Sequence, residues 1–217
     1  LMHQKPNADH AIAQRRSFAA QRHPESLPLE NGACGVFARV LACDAEIRFD
    51  AAAGRALARC SLRIHLDRPG RPLLAARCPP PEVDVDRRSC TLLGATEPHL
   101  ADRVWACDLD LPAGEHVIEV ANELTGVHDP GGGFELRLEM RDDADNAVYL
   151  DRCLASGFAH DNYPVRLRVT PVAADVPYTL VANGDVRGRE GEWVVDFPDW
   201  YSPSCPLIVV APSASMR

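Results

Sequence analysis

Residues 43–66 read CDAEIRFDAAAGRALARCSLRIHL, and this stretch decides the predicted fold class. Apolar and polar residues alternate on both sides of its DAAAG turn. After the turn the apolar positions are Ala56, Ala58, Cys60, Leu62, Ile64 and Leu66. A period of two that continues for this long is typical of a strand with one buried and one exposed face. The stretch therefore predicts a long antiparallel hairpin whose two faces differ in polarity.

Similar alternation marks the rest of the chain. It occurs at residues 105–111, 116–121, 134–140, 163–169, 178–182 and 193–197, and residues 206–211 form a short apolar run. The LPAGE turn sequence predicts that 105–111 and 116–121 form a hairpin. No long amphipathic helix is indicated after residue 30. We predict an all-β fold, either an antiparallel β-sandwich or saddle-shaped sheets. Residues 31–217 would form a single β-domain, with residues 1–30 as a mobile arm or short helix.

The composition indicates which classes of partner are excluded and which cellular compartment is favoured. A net charge of −8 argues against a nucleic-acid partner, because phosphate contacts need a basic face. No apolar run approaches the length of a membrane span, and the N-terminus lacks the apolar core of a signal peptide. The eight cysteines include no C-x-x-C, and Cys43, Cys60 and Cys107 lie on the apolar phase of predicted strands. Reduced, buried thiols are favoured over disulfides or a metal site, which predicts a cytoplasmic protein.

The order of three pieces carries a family resemblance. They are EIRFDAAAGRALARCSLRIHL at 46–66, CDLDLPAGEHVIEV at 107–120 and YTLVANGD at 178–185. Over residues 42–211 the chain resembles the N-terminal β-domain of the zinc aminopeptidases, the alanyl aminopeptidase and leukotriene hydrolase family, in a degenerate form. The resemblance implies a domain that shapes a peptide-binding cleft or docks a catalytic domain.

The catalytic parts of that family are missing from these residues. Its zinc site needs H-E-x-x-H on a helix, and the chain contains no His-Glu dipeptide. The G-A-M-E-N loop is absent, and residues 149–165, YLDRCLASGFAHDNYPV, do not match the family's F-P-C-F-D-E-P-like crossing segment. We therefore predict no catalytic residue, no metal ligand and no cofactor in this chain. Zinc would enter only with a catalytic domain that follows it.

Three other groups of residues resemble functional motifs, but each lacks a feature that the motif needs. His116 and Glu119 form half of an inverted zinc motif, but on a strand they point to opposite faces. Ser156, His160 and Asp161 resemble a triad only in their proximity along the chain. The glycines at 131–133 lack the lysine and helix of a phosphate loop.

The segment from Asp196 to Tyr201 is the best candidate for a binding site. It combines Asp196 and Asp199 with Trp200 and Tyr201, and aromatic side chains carry much of the energy of protein interfaces. The alternative is that the two aromatic residues close one end of the sandwich. The predicted partners are a protein or a C-terminal catalytic domain, a peptide, or a second copy in a homodimer. A stand-alone peptide- or carbohydrate-binding module, and an enzyme with a site built from loops, remain as alternative functions.

Overall fold

The computed structural model describes residues 26–50, 53, 55–76, 80–96, 104–125, 134–136, 162–172, 176–189, 191–199 and 208–214. Within these ranges all the regular structure is β, so the all-β prediction is confirmed. The strands are β1 Ser26–Pro28, β2 Cys34–Phe37, β3 Arg39–Asp50, β4 Arg55–Leu66, β5 Arg71–Ala75, β6 Glu82–Val85, β7 Arg88–Ser89, β8 Leu92–Gly94, β9 Val104–Cys107, β10 Gly114–Thr125, β11 Phe134–Leu136, β12 Val165–Pro171, β13 Tyr178–Ala182, β14 Asp185–Arg189, β15 Glu192–Phe197 and β16 Ile208–Pro212. None of the described residues forms a helix long and apolar enough to cross a membrane.

The strands form three sheets. The large sheet has the order β14-β15-β12-β3-β4-β10-β6-β7, and the two smaller ones have the orders β1-β2-β5-β9-β8 and β11-β16-β13. The predicted hairpin of β3 and β4 is confirmed and lies in the middle of the large sheet. On the other side of β4, β10 pairs with it along all twelve residues.

One face of the large sheet forms the core. Ile64, Ile118 and Val169 of that sheet are fully buried. They belong to one cluster with Leu74 of the five-stranded sheet and Val210 of the three-stranded sheet. Both smaller sheets therefore pack on the same apolar face of the large sheet, and its polar face points outward.

The sheets are mixed rather than fully antiparallel. β12 runs parallel to β3, and β2 runs parallel to β5. Parallel neighbours need a long crossover connection, and the chain between β3 and β12 includes most of the other strands. Alternation reports which face a strand buries but not the direction of its neighbour, so the sequence did not reveal these two parallel pairs among the antiparallel ones.

The predicted hairpin of residues 105–111 and 116–121 is wrong. β9 pairs with β5 and β8, while β10 pairs with β4 and β6. Leu111 makes only an isolated bridge with Gly70. The LPAGE segment therefore carries the chain from the five-stranded sheet to the large sheet.

Residues 26–30 had been expected in the N-terminal arm, and the structure corrects this. β1 pairs with β2, and Leu27 and Leu29 are buried in a second apolar cluster with Leu73 and Ala106. Two leucines in the motif SLPLE are enough to anchor the segment, because each side chain removes its apolar surface from water. Residues 1–25 lie outside the described part of the chain, so the arm itself stays a prediction.

Candidate functional site on the polar face of the large sheet

The outward face of the large sheet carries the charged residues that alternate with the core. A groove of about 460 Å³ runs across it over strands β6, β10, β4, β3, β12 and β15. We call its side chains the polar face: Asp44, Glu46, Arg59, Ser61, Glu82, Asp84, Glu119, Ala121, Arg166, Arg168 and Val194. Ser61 and Ala121 are the small residues among them, and charged side chains surround them. Because successive side chains on a strand point to opposite faces, the pattern that buries the core also assembles this surface.

Strand register separates the charges into two sides. On one side, Glu119 of β10 lies directly opposite Asp84 of β6. Like charges opposite one another in a sheet are unfavourable. Within the described part of the chain, Glu82, Asp84 and Glu119 take part in no ion pair. This side of the groove therefore carries three acidic side chains that no described basic residue pairs with.

The other side of the groove carries arginines that have acidic partners, and Asp44 and Glu46 of β3 lie directly opposite two of them. Arg168 Nε lies 3.1 Å from Glu192 Oε1. Arg166 Nε lies 3.7 Å from Asp196 Oδ1, and Arg187 Nη2 lies 2.8 Å from Asp196 Oδ2. Exposed pairs of this kind contribute little stability, so their arginines can exchange partners at low cost.

His116 lies on the buried face of β10, where it performs a structural task. Its Nδ1 is 2.7 Å from Asp86 Oδ2 and its Nε2 is 2.9 Å from the carbonyl oxygen of Pro112. The ring thus links the turn at Asp86 to the backbone at Pro112. Glu119 points to the opposite face, as expected for positions three apart on a strand. Among the described residues no group of histidine, cysteine, aspartate or glutamate is arranged to hold a metal ion.

Hydrogen bonds of both the backbone and the side chain fix the position of Asp86. The amide of Val117 donates to Asp86 Oδ1 at 3.0 Å, and the amide of Asp86 donates to the carbonyl of Val117 at 2.9 Å. Partial desolvation alone would raise the pKa of Asp86. The bond from Val117 and the contact with His116 outweigh it, so the pKa lies below its usual value. Sequence reasoning missed this pair, since 30 residues separate its members.

Known proteins resemble this chain in fold rather than in sequence. No family model and no curated protein matches the chain. Among solved structures, the M1 zinc metallopeptidase from Deinococcus radiodurans is 14% identical with a TM-score of 0.55. Yeast leukotriene A4 hydrolase in complex with bestatin is 11% identical with a TM-score of 0.56.

The shared part is a fraction of those proteins. The match covers 81% of this chain and 42% of the bacterial chain. For the yeast enzyme it covers 93% of this chain and 32% of that chain. The chain has the fold of the N-terminal part of the M1 zinc metallopeptidases. The resemblance seen in the sequence is confirmed at the level of fold, and the chain spans less than half of the length of the enzymes it matches.

Asp196, one of the predicted binding residues, lies beside the polar face. Asp196 is on β15, where Arg166 and Arg187 hold it, and Asp199 is exposed just beyond the strand. Asp196 and Pro198 help line a second groove of about 330 Å³ that shares Asp44 and Arg166 with the first. The two grooves thus form one continuous surface.

Several candidates from the sequence lie outside the described residues. These are Trp200, Tyr201, Ser156, His160, Asp161 and the glycines at 131–133. Their roles stay predictions. What sequence reasoning missed is the groove itself, because no motif announces a surface whose residues come from six strands.

Proposed function

We propose that this chain is a non-catalytic β-domain of an aminopeptidase-like protein. It would dock a catalytic or partner domain and form one wall of a peptide-binding cleft. The observation that supports this most is the fold likeness, which covers most of this chain and only a third to two-fifths of the matched enzymes. The missing H-E-x-x-H supports the non-catalytic role, because that motif supplies both the ligand pair and the general base.

We further propose the polar face, together with the neighbouring segment Asp196–Tyr201, as the docking surface. Three carboxylates that have no ion-pair partner among the described residues line one side of the groove, and arginines paired with acidic residues line the other. A basic patch on a partner would pair with the three carboxylates, and its acidic groups could exchange into the arginine pairs. Charge complementarity of this kind steers association and fixes orientation. The exposed Asp199 leads from this surface into Trp200 and Tyr201, which would supply apolar contact area.

The experiment that tests the function is a characterisation of the protein as the cell makes it. Antibody capture from the source cells, followed by intact-mass and peptide mapping, shows whether these 217 residues continue into or co-purify with another domain. We expect a longer chain, or a stoichiometric complex, that contains an H-E-x-x-H helix or its degenerate equivalent. A free 23.7 kDa chain with no retained partner would contradict the proposal.

Charge reversal on the polar face should weaken docking. With the two domains produced separately, Glu119→Lys should reduce their affinity about tenfold, the effect of 1.4 kcal/mol. The matched control is Glu115→Lys, which makes the same change on the same strand and face, about 13 Å away and outside the groove. Calorimetric titration at two salt concentrations measures both variants. Equal losses for the two variants would mean that net charge, rather than this groove, governs docking.

The chain itself should neither hold zinc nor hydrolyse peptides. Elemental analysis of chelator-washed protein, and an assay with aminoacyl amides in added zinc, are expected to give no stoichiometric metal and no turnover. One tightly held zinc ion per chain, with amide hydrolysis, would show that a site exists which the sequence does not reveal.

A stand-alone peptide-binding module is the second candidate, and the groove favours it. A volume of about 460 Å³ is in the range of small-ligand sites. The described lining contains no aromatic residue on which a sugar ring could stack, so a peptide suits it better than a carbohydrate. This function predicts that the chain acts without a partner domain and binds charged peptides by itself. We also propose a cytoplasmic location, consistent with the free cysteines among the described residues.

A further inference from the structure

Four of the described cysteines form two close pairs. Cys43 and Cys60 lie two residues apart in register on paired strands, and Cys90 lies two residues before the residue that pairs with Cys107, so in each pair the two thiols interact. The first pair lies on neighbouring strands β3 and β4 within the core. The second pair joins different sheets, and this difference gives the two pairs different chemistry.

The backbone holds Cys90 and Cys107 next to each other. Cys107 ends β9 in the five-stranded sheet, and Leu92 of β8 lies opposite it. The amide of Asp108 donates to the carbonyl of Thr91 at 2.9 Å, which fixes the residue after each cysteine. The amide of Cys90 donates to the carbonyl of Val83 at 2.9 Å, which ties Cys90 to β6 of the large sheet, next to the edge strand β7. A bond between the two sulfurs would therefore connect two layers of the molecule.

Access also separates the two pairs. Cys90 is half-buried and reaches solvent, whereas Cys107 is fully buried. Both members of the other pair are buried, with exposures of 2% for Cys43 and 4% for Cys60. A soluble oxidant can reach Cys90, and the oxidised sulfur of Cys90 would then lie beside the thiol of Cys107.

The acidity of the thiols agrees with this geometry. The hydrogen bond donated by the Cys107 thiol lowers the pKa of Cys90, although burial and the carboxylates of Asp84 and Asp108 oppose the shift. The same contact and burial raise the pKa of Cys107 well above its usual value. Cys90 is thus the thiolate former, and Cys107 keeps its proton until a reaction removes it.

We propose that Cys90 is a peroxide-sensitive thiol that forms a reversible disulfide with Cys107. The Cys90 thiolate attacks one oxygen of hydrogen peroxide, the O–O bond breaks, and hydroxide leaves. Cys90 is thereby oxidised to a sulfenic acid. The Cys107 sulfur then attacks the Cys90 sulfur, the S–O bond breaks, and water leaves with the thiol proton. A small thiol reductant restores both cysteines by exchange.

The closed link should stabilise the domain. It would join residues 90 and 107, and a cross-link over a loop of this length restricts the unfolded chain. We expect the melting temperature to rise by about 5–10 °C on oxidation and to return on reduction. This inference is independent of the proposed docking function.

Peroxide titration of the full chain, reduced beforehand and freed of reductant, tests the proposal. Free thiols are counted first, then alkylated after each peroxide dose and mapped by mass spectrometry. We expect the Cys90–Cys107 peptide link to form first and to disappear with dithiothreitol, while Cys43 and Cys60 stay alkylatable in denaturant. A Cys90 that remains a thiol when the exposed Cys34 is already oxidised would overturn the proposal. So would a Cys90 linked to any other cysteine.

Three variants sharpen the result. Cys107→Ser should leave a sulfenic acid on Cys90 that dimedone traps, and Cys90→Ser should leave Cys107 unmodified at the same dose. Cys60→Ser is the matched control, which removes a thiol from the sealed pair and should leave the link unchanged. If a variant fails to fold, the mapping of the unmodified chain decides by itself. A link that forms between Cys43 and Cys60 as fast as at Cys90 would contradict the role of access.

Discussion

Replacing Leu62 or Ile64 with alanine is expected to lower the free energy of unfolding by about 2–5 kcal/mol, the usual range for a buried aliphatic side chain. Both residues are fully buried in β4, which lies between β3 and β10 in the middle of the large sheet. Both belong to a core cluster whose members come from all three sheets, so either truncation leaves a cavity inside a packed core. Denaturant unfolding with a fixed slope measures the loss.

Arg63 is the matched control for that prediction. It lies between the two residues on the same strand, and its side chain points to the exposed face. Arg63→Ala should change the free energy of unfolding by less than about 0.5 kcal/mol. Equal losses at all three positions would mean that the large sheet is covered on both faces.

Asp86→Ala is expected to lower the free energy of unfolding by about 1–3 kcal/mol, the cost of leaving a buried polar group unsatisfied. The substitution removes the acceptor of His116 Nδ1 and that of the Val117 amide. It also acts on a strained turn, since Asp86 and Arg87 have φ values of 50° and 64°. Such angles favour glycine, asparagine and aspartate, and alanine tolerates them poorly.

The pH dependence gives this prediction a specific signature. The folded state lowers the pKa of Asp86 below its usual value of 3.8, so the charged carboxylate stabilises the fold. That contribution is complete above about pH 4, where the unfolded-state carboxyl is also ionised, and is lost as the pH falls through the lower folded-state value. The difference in unfolding free energy between the unmodified chain and Asp86→Asn should therefore be largest near neutral pH and shrink towards pH 3.

Two variants separate the contact with His116 from the other effects of the substitution. Asp84→Asn changes the same residue type on strand β6, where the side chain faces the groove and makes none of the bonds of Asp86, so it separates the loss of a carboxylate from the loss of the contact with His116. Arg87→Gly relieves the second positive φ and should not lower stability. Because asparagine also tolerates the positive φ of Asp86, a pH-independent loss for Asp86→Asn would assign the effect to the hydrogen bonds of the side chain rather than to the charge facing His116.

The sequence predicted which residues of the candidate site face away from the core, but it did not predict how these residues are grouped. Alternation predicted that Arg59, Glu119 and Arg168 would point away from the core, and the structure places them there. Their grouping into an acidic and a basic side depends on β12 lying parallel to β3 and on β6 lying beside β10. Asp196 and Asp199 were proposed for their local composition, and only the strand order brings Asp196 next to Arg166.

The sequence alone determined the strands, their buried faces and the absence of a zinc-binding H-E-x-x-H. These properties are local, because a period of two sorts neighbouring residues onto opposite faces wherever the strand is placed. The tertiary structure decided which strands pair, in which direction, and hence the charged groove, the bond between Asp86 and His116 and the two thiol pairs. These properties are long-range, because several pairings can bury the same apolar faces. The choice among them depends on how the three sheets pack on one another and on the chain connections that join them.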